Sequence, residues 1–147
     1  LNINLENSNI LDLFSGVGSF GLECLSRGAV NVTFLESYKE VLTILKKNID
    51  NLKQQNYSKV IEKDIFAENT LKLLDNKFDI IFIDPPFKEK KLVDLLKKII
   101  NLKLLKDNGV IIVHRHKKEV DTFPNEFNLI VSKNYGISKI IFGNTLT

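Results

Sequence analysis

Asn9-Ile10-Leu11-Asp12-Leu13-Phe14-Ser15-Gly16-Val17-Gly18-Ser19-Phe20-Gly21 passes from an apolar segment, through a glycine-rich turn, into a helical one. Asn9 to Phe14 is a short strand broken only by Asp12, and the helix runs from about Phe20 to Arg27 with Gly28 at its C-cap. A strand, a glycine turn and a helix make the first half of a βαβ unit and predict a parallel sheet. Gly16, Gly18 and Gly21 match G-x-G-x-x-G, in which glycines let the backbone approach a ligand closely. The next strand, Asn31 to Leu35, ends in Glu36, twenty residues beyond Gly16. An acid at that strand end accepts hydrogen bonds from ribose hydroxyls. The same spacing serves dinucleotides, so the motif alone leaves the cofactor open.

Further along, Leu42, Leu45, Ile49 and Leu52 form a helical stripe over Tyr38 to Leu52. Lys59 to Ile61 reads as a third strand, and Asp64 follows at its end, where a cofactor base would lie in such a sheet. A short helix is expected over Ala67 to Leu74, a fourth strand over Phe78 to Ile83, and a helix over Glu89 to Ile100. Lys103 to Gly109 reads as a turn, Val110 to Val113 as a fifth strand, and His114-Arg115-His116-Lys117-Lys118 as a loop holding the densest basic cluster. Glu126 to Lys133 and Ile137 to Phe142 read as two last strands joined by the turn Asn134-Tyr135-Gly136.

The fourth strand ends in Asp84-Pro85-Pro86-Phe87. Neither proline has an N–H, so this tip offers acceptors only, the Asp84 carboxylate and the neighbouring carbonyls, on a stiffened backbone. Phe87 adds a flat apolar face. Such a tip suits a planar ring with an exocyclic amine, stacked on Phe87 with its N–H donors meeting Asp84 and the Pro85 carbonyl.

At 147 residues, 44% hydrophobic and 27% charged, the chain has the size and composition of one soluble globular domain. No apolar run approaches the roughly 20 residues that span a bilayer, and no signal-peptide pattern opens the chain, so a cytoplasmic protein without membrane association is expected. A formal charge of +3 permits nucleic acid as a partner without arguing for it. The single cysteine, Cys24, reads as a small buried hydrophobe, and neither histidine has zinc-ligand spacing, so no metal is expected. The sequence starts at Leu1 and contains no methionine, so an N-terminal piece is expected to be missing from it.

Taken together, Leu11 through Ala29, Glu36, Asp64, Phe78 through Phe87 and Lys133-Asn134-Tyr135-Gly136 resemble the class I S-adenosylmethionine-dependent methyltransferases. More closely, they resemble the bacterial RsmD family, which methylates the exocyclic N2 of a guanine in 16S ribosomal RNA. The resemblance covers nearly the whole chain. It implies a Rossmann-like α/β fold, with a mostly parallel seven-stranded sheet in the order 3-2-1-4-5-7-6 and helices on both faces. Residues 1–147 would form a single methyltransferase domain lacking the basic N-terminal segment, with its Arg-Pro-Thr motif, that the family uses to hold RNA. In the cofactor site, Gly16 and Gly18 would approach the methionine part, with Phe14 beside them. Asp12 would lie near the ammonium, Glu36 at the ribose, Asp64 at the adenine amine, and Ile65 would form an apolar wall. Asp84, Pro85 and Phe87 would form the catalytic tip. Where His114 to Lys118 stand, an acidic residue is common in the family, and no role carries over to them.

The implied reaction is transfer of a methyl group from S-adenosylmethionine to guanine N2, by a monomer acting on ribosomal RNA or a small-subunit assembly particle. Three other readings compete. An adenine-N6 methyltransferase shares Asp-Pro-Pro with an aromatic but usually carries a target-recognition insertion, for which this chain has no room. An NAD-dependent oxidoreductase shares the glycine spacing but would need a substrate domain. A non-catalytic cofactor-binding or RNA-binding module is the non-enzymatic alternative.

Overall fold

The structure, a computed structural model, describes residues 3–86 and 91–146. Seven strands, β1 (Asn9–Leu13), β2 (Asn31–Leu35), β3 (Ser58–Ile61), β4 (Phe78–Ile83), β5 (Leu105–His116), β6 (Phe127–Tyr135) and β7 (Ser138–Thr145), form one sheet in the order β3-β2-β1-β4-β5-β7-β6. The first five run parallel, and β7 lies antiparallel to both β5 and β6. This is the seven-stranded, Rossmann-like order that the resemblance implies. Helices α1 (Ser19–Ser26), α2 (Lys39–Asn51) and α3 (Leu92–Asn101) cover the sheet.

Because side chains alternate along a strand, each central strand feeds two cores. Ile10, Phe34, Ile80 and Ile112 pack with Leu22, Leu25, Leu42, Leu45 and Ile49 from α1 and α2. Leu11, Leu13, Leu35, Ile81, Ile83 and Val113 pack on the other face with Leu92, Leu95, Leu96 and Ile99 of α3. Strands buried on both sides read as nearly continuous apolar runs, as NILDL and FDIIFI do. The α1/α2 face also takes the carboxyl group of Asp12, at 1% exposure. Cys24 is buried among these residues, and burial pushes its thiol up to about 12.

Four sequence expectations are corrected. Ala67 to Leu74 is not an α-helix: it is a series of tight turns, Ala67 N–H to Asp64 O, Thr70 to Ala67, Lys72 to Asn69 and Leu73 to Thr70, with a 3-10 turn at Leu71–Leu73. Asn69 holds a left-handed φ of 70°, which no α-helix accommodates. The turn at Lys103 to Gly109 is largely a bulge inside β5: Leu105 pairs with Phe78 and Val110 with Ile80, so Asp79 alone faces the four residues between, with Asn108 at φ 65°. Beyond Val113 the chain is not a loop. β7 supplies pairing partners to His114, Arg115 and His116, and Arg115 is buried at 5% exposure, its Nη2 3.0 Å from Asp121 Oδ1. Finally, Tyr135 pairs with Ser138, so the hairpin turn is Gly136-Ile137, with Gly136 at φ 56°.

β6 is an edge strand whose side chains are mostly exposed, including Leu129, Ile130 and Tyr135. Among the described residues, no helix is long and apolar enough to cross a membrane.

Candidate active site

The carboxyl ends of β1, β2 and β4 lie side by side, Leu13 against both Leu35 and Ile83. Whatever follows those strands is therefore brought together. After β1 comes Phe14, in the left-handed region at φ 57°, its ring 5.8 Å from that of Phe66. A bulky residue held there is strained, and the strain turns the chain sharply into the glycine loop. Ser15 N–H bonds to Leu35 O at 3.0 Å, Gly18 N–H to Ser15 O at 3.0 Å, and Asn48 Nδ2 of α2 holds Val17 O at 2.9 Å.

The three glycines have different surroundings. A Cβ on Gly16 would meet nothing within 4 Å, so this position, at φ 56°, borders open space. On Gly18 a Cβ would fall 2.5 Å from Leu45 Cδ1, and on Gly21 2.4 Å from the Phe34 ring. Gly16 leaves room for a ligand, while Gly18 and Gly21 let α1 and the loop close onto the core.

Glycine at position 18 also leaves the start of α1 without a capping side chain. The cap comes instead from the strand below: Asp12 Oδ2 accepts the Gly21 N–H at 3.2 Å. Burial of this carboxyl pushes its pKa up from 3.8 to about 8, the Gly21 hydrogen bond works against that, and the negative charges of Asp84 and Glu36 add to it. Glu36, after β2, accepts from Gly16 N–H at 2.9 Å through Oε1, and from Ser37 and Tyr38 N–H at 2.9 and 3.0 Å through Oε2. It thus ties the glycine loop to the start of α2.

Asp84 follows β4 directly, its N–H reaching Leu13 O at 3.4 Å, and its side chain is about half exposed. By alternation it points to the same face as Asp12 and Phe82, and Phe82 is stacked beneath it on Phe20 of α1 at 3.9 Å between ring centroids. Pro85 is buried and Pro86 exposed. Phe87 lies outside the described residues. Asp64 is exposed, and its Oδ1 accepts the Phe66 N–H at 2.9 Å in a local turn. Ile65 is buried at 4% in the α3-side core and lines a cavity of about 260 Å³ there with Leu71, Lys98 and Leu102. Asp12, Gly16, Glu36 and Asp84 are therefore one group, joined by hydrogen bonds or by mutual charge.

One participant escaped the sequence reading. His114 follows β5's Val113 as Asp84 follows β4's Ile83, and those two residues are paired. Its Nδ1 lies 2.8 Å from Asp84 Oδ1 and its Nε2 2.8 Å from Ser138 Oγ. With Pro85, Ile137 and Ser138 it walls a small recess of about 100 Å³ beside the acid. The signal was available: two apolar runs that end in Asp and His, on neighbouring parallel strands, place those residues side by side.

This sheet order, with acids gathered at the strand ends around a glycine loop, defines the class I methyltransferase fold. Residues 1–144 match the family model described as Conserved hypothetical protein 95. The chain is 37% identical over 142 residues to the ribosomal RNA small subunit methyltransferase D of Buchnera aphidicola subsp. Acyrthosiphon pisum, covering 92% of this chain and 65% of that protein. It is 36% identical over 136 residues to the protein of that name in Haemophilus influenzae, covering 90% and 69%. The solved structure of a Haemophilus influenzae protein described as a methylase superposes with a TM-score of 0.83 at 34% identity, covering 97% of this chain and 89% of that one. The chain belongs to the Conserved hypothetical protein 95 family, the RsmD family, and spans about two thirds of the length of these curated relatives.

Proposed function

We propose that this protein transfers a methyl group from S-adenosylmethionine to the exocyclic N2 amine of a guanine in 16S ribosomal RNA. In this reading it acts in the cytoplasm as a monomer, on the RNA or on an assembling small-subunit particle. The observation that carries the reading is the acidic group Asp12, Glu36 and Asp84 around a loop that is open at Gly16. Burial raises the Asp12 pKa most, the negative charges of Asp84 and Glu36 raise it further, and a cation placed among these carboxyls opposes both effects. S-adenosylmethionine is cationic at its ammonium and sulfonium, whereas a dinucleotide pyrophosphate would add negative charge to the same place. The residues present therefore fit the methyl donor and disfavour the NAD reading. The family relatives named as ribosomal RNA methyltransferases support the substrate.

When bound, the cofactor supplies an already activated methyl group. The chain's residues would do the rest by holding. Gly16 admits the methionine part, Asp12 and the Phe14 corner flank it, and Glu36 keeps lone pairs for the ribose hydroxyls beyond its three backbone donors. Asp64 would accept from the adenine amine, with Ile65 contributing to the apolar side. The guanine amine is a poor nucleophile because its lone pair is delocalised into the ring. Asp84 and the Pro85 carbonyl, accepting its N–H bonds, hold that nitrogen on line and stabilise the positive charge that develops there. A base inside folded RNA reaches this tip only when splayed out, and Phe87 would receive it by stacking.

The test is isothermal titration with S-adenosylhomocysteine and with NADH, followed by nucleoside analysis of ribosomal RNA treated with the chain and labelled S-adenosylmethionine. Binding of the first ligand alone and appearance of N2-methylguanosine are expected, and Asp84→Ala should abolish transfer while affinity stays within a few-fold. N6-methyladenosine as product would move the reading to the adenine enzymes. Binding of NADH instead would overturn it.

A further inference from the structure

Asp84 sits on a tip that cannot steady it from its own backbone, because Pro85 and Pro86 have no N–H to donate. Its side chain is 46% exposed. A carboxylate in that position samples several rotamers, yet catalysis by positioning requires one. The neighbouring strands supply what the tip lacks. His114 Nδ1 lies 2.8 Å from Asp84 Oδ1, and His114 Nε2 lies 2.8 Å from Ser138 Oγ.

We infer that His114, itself held by Ser138, is a positioning residue that locks the Asp84 carboxylate so that its second oxygen faces the substrate amine. This rests on the proposed methyl transfer. An ionised carboxylate can only accept, so Nδ1 carries the hydrogen in this pair. The other ring nitrogen, Nε2, meets the Ser138 hydroxyl, which can donate or accept there, and the two contacts together fix the plane of the ring. The backbone makes the arrangement rigid. His114 pairs with Ile140 and His116 with Ser138 across the antiparallel β5–β7 ladder, so His114 and Ser138 are diagonal neighbours on one face. With Oδ1 occupied by His114, Oδ2 keeps its lone pairs for the N–H donors of the base.

Five variants and one spectroscopic readout test this. His114→Ala is expected to lower kcat by about tenfold to a hundredfold, the effect of slight misplacement of a catalytic group, with KM for S-adenosylmethionine and melting temperature close to wild type. His114→Asn places an amide nitrogen where Nδ1 was and is expected to recover most of the loss. His114→Gln reaches only toward Ser138 and is expected not to. Ser138→Ala is expected to lower kcat less than His114→Ala does. The chain has two histidines, so ring nitrogen signals are readily assigned by long-range proton–nitrogen NMR. The His114 ring should be protonated at Nδ1 in wild type, and its signals should move in Asp84→Ala. Wild-type kcat in His114→Ala, or equal loss in the Ala and Asn variants, would overturn the positioning role, as would an Nδ1 signal indifferent to Asp84→Ala. A wild-type chain that binds S-adenosylhomocysteine but methylates no RNA refutes the proposed function instead, and the NMR result still decides whether the pair forms.

Discussion

Asp12→Asn keeps an acceptor for the Gly21 N–H and removes the proton that makes this buried side chain sensitive to pH. In the folded chain the Asp12 pKa stands at about 8, against 3.8 for an ordinary aspartate. Between those values the native state holds a proton that the unfolded state has released. The native state therefore binds more protons, and its stability falls as pH rises from about 4 towards 8. Each pH unit crossed costs roughly 1.4 kcal/mol, so by pH 7 the free protein has lost on the order of 4 kcal/mol to this one carboxyl. The carboxamide is spared that loss but brings an NH2 that needs a partner, at about 1–3 kcal/mol. The variant should thus be the less stable protein near pH 4 and the more stable one at pH 8. Urea denaturation of both proteins at pH 4.5, 6, 7 and 8 measures the difference, in which the other titrating groups largely cancel. A difference that does not change with pH would refute the argument, since it would mean that Asp12 ionises as it would in water. Saturating S-adenosylmethionine adds a second check: a cation beside Asp12 favours its ionised form, so binding should release protons, and the measured binding enthalpy should vary with buffer ionisation enthalpy near pH 7.

The glycines should separate by stability and affinity. Gly21→Ala drives a methyl towards the Phe34 ring and should cost about 1–3 kcal/mol in denaturation. Gly16→Ala meets no neighbour and carries only the left-handed backbone penalty of about 1–2 kcal/mol, but should weaken S-adenosylhomocysteine binding in calorimetry. Equal affinity in Gly16→Ala and wild type would remove that open space from the ligand site. Glu36→Gln turns an amide NH2 towards backbone donors that now meet a carboxylate, so affinity for S-adenosylhomocysteine should fall tenfold or more. Unchanged affinity would take Glu36 out of the site.

The parts of the fold that local chemistry dictates were legible. The strand–glycine–helix passage at Asn9 to Gly21 needs no distant partner to be read, and the strands buried on both faces announce themselves as apolar runs. What failed depended on partners far along the chain. β5 outlasts its apolar core because β7 comes back to pair with it, and Arg115 is buried because Asp121 and Glu119 answer its charge. Neither fact is written in His114 to Lys118. Ala67 to Leu74 has helical composition, but Asp64 and Asn69 bend the backbone into tight turns before a helix can start. In the site, Glu36 and Asp84 were readable from strand ends. The Asp12 cap was not, since it appears only once α1 folds back over β1, and the His114–Asp84 pair, signalled by two apolar runs that end in Asp and His, is seen only when β4 and β5 are set side by side.

β1 lies at the middle of the sheet, yet one of its neighbours is β4, whose partner residues come about seventy positions later, and Asn9 N–H closes onto Asp79 Oδ2 at 2.8 Å. The centre of the molecule therefore cannot be completed until more than half of the chain has been synthesised. Leu11 and Leu13 wait longer still for the cover of Leu92, Leu95, Leu96 and Ile99 from α3, and bringing β4 to β1 closes a contact between residues far apart in sequence, which costs entropy. A nascent chain released before Ile83 has β2 on one edge of its central strand and nothing on the other, the kind of open edge that chaperones hold and that aggregates without them. Translation speed through residues 36 to 83 thus bears on the yield of folded protein, apart from whatever Glu36 and Asp64 in that stretch do in the site.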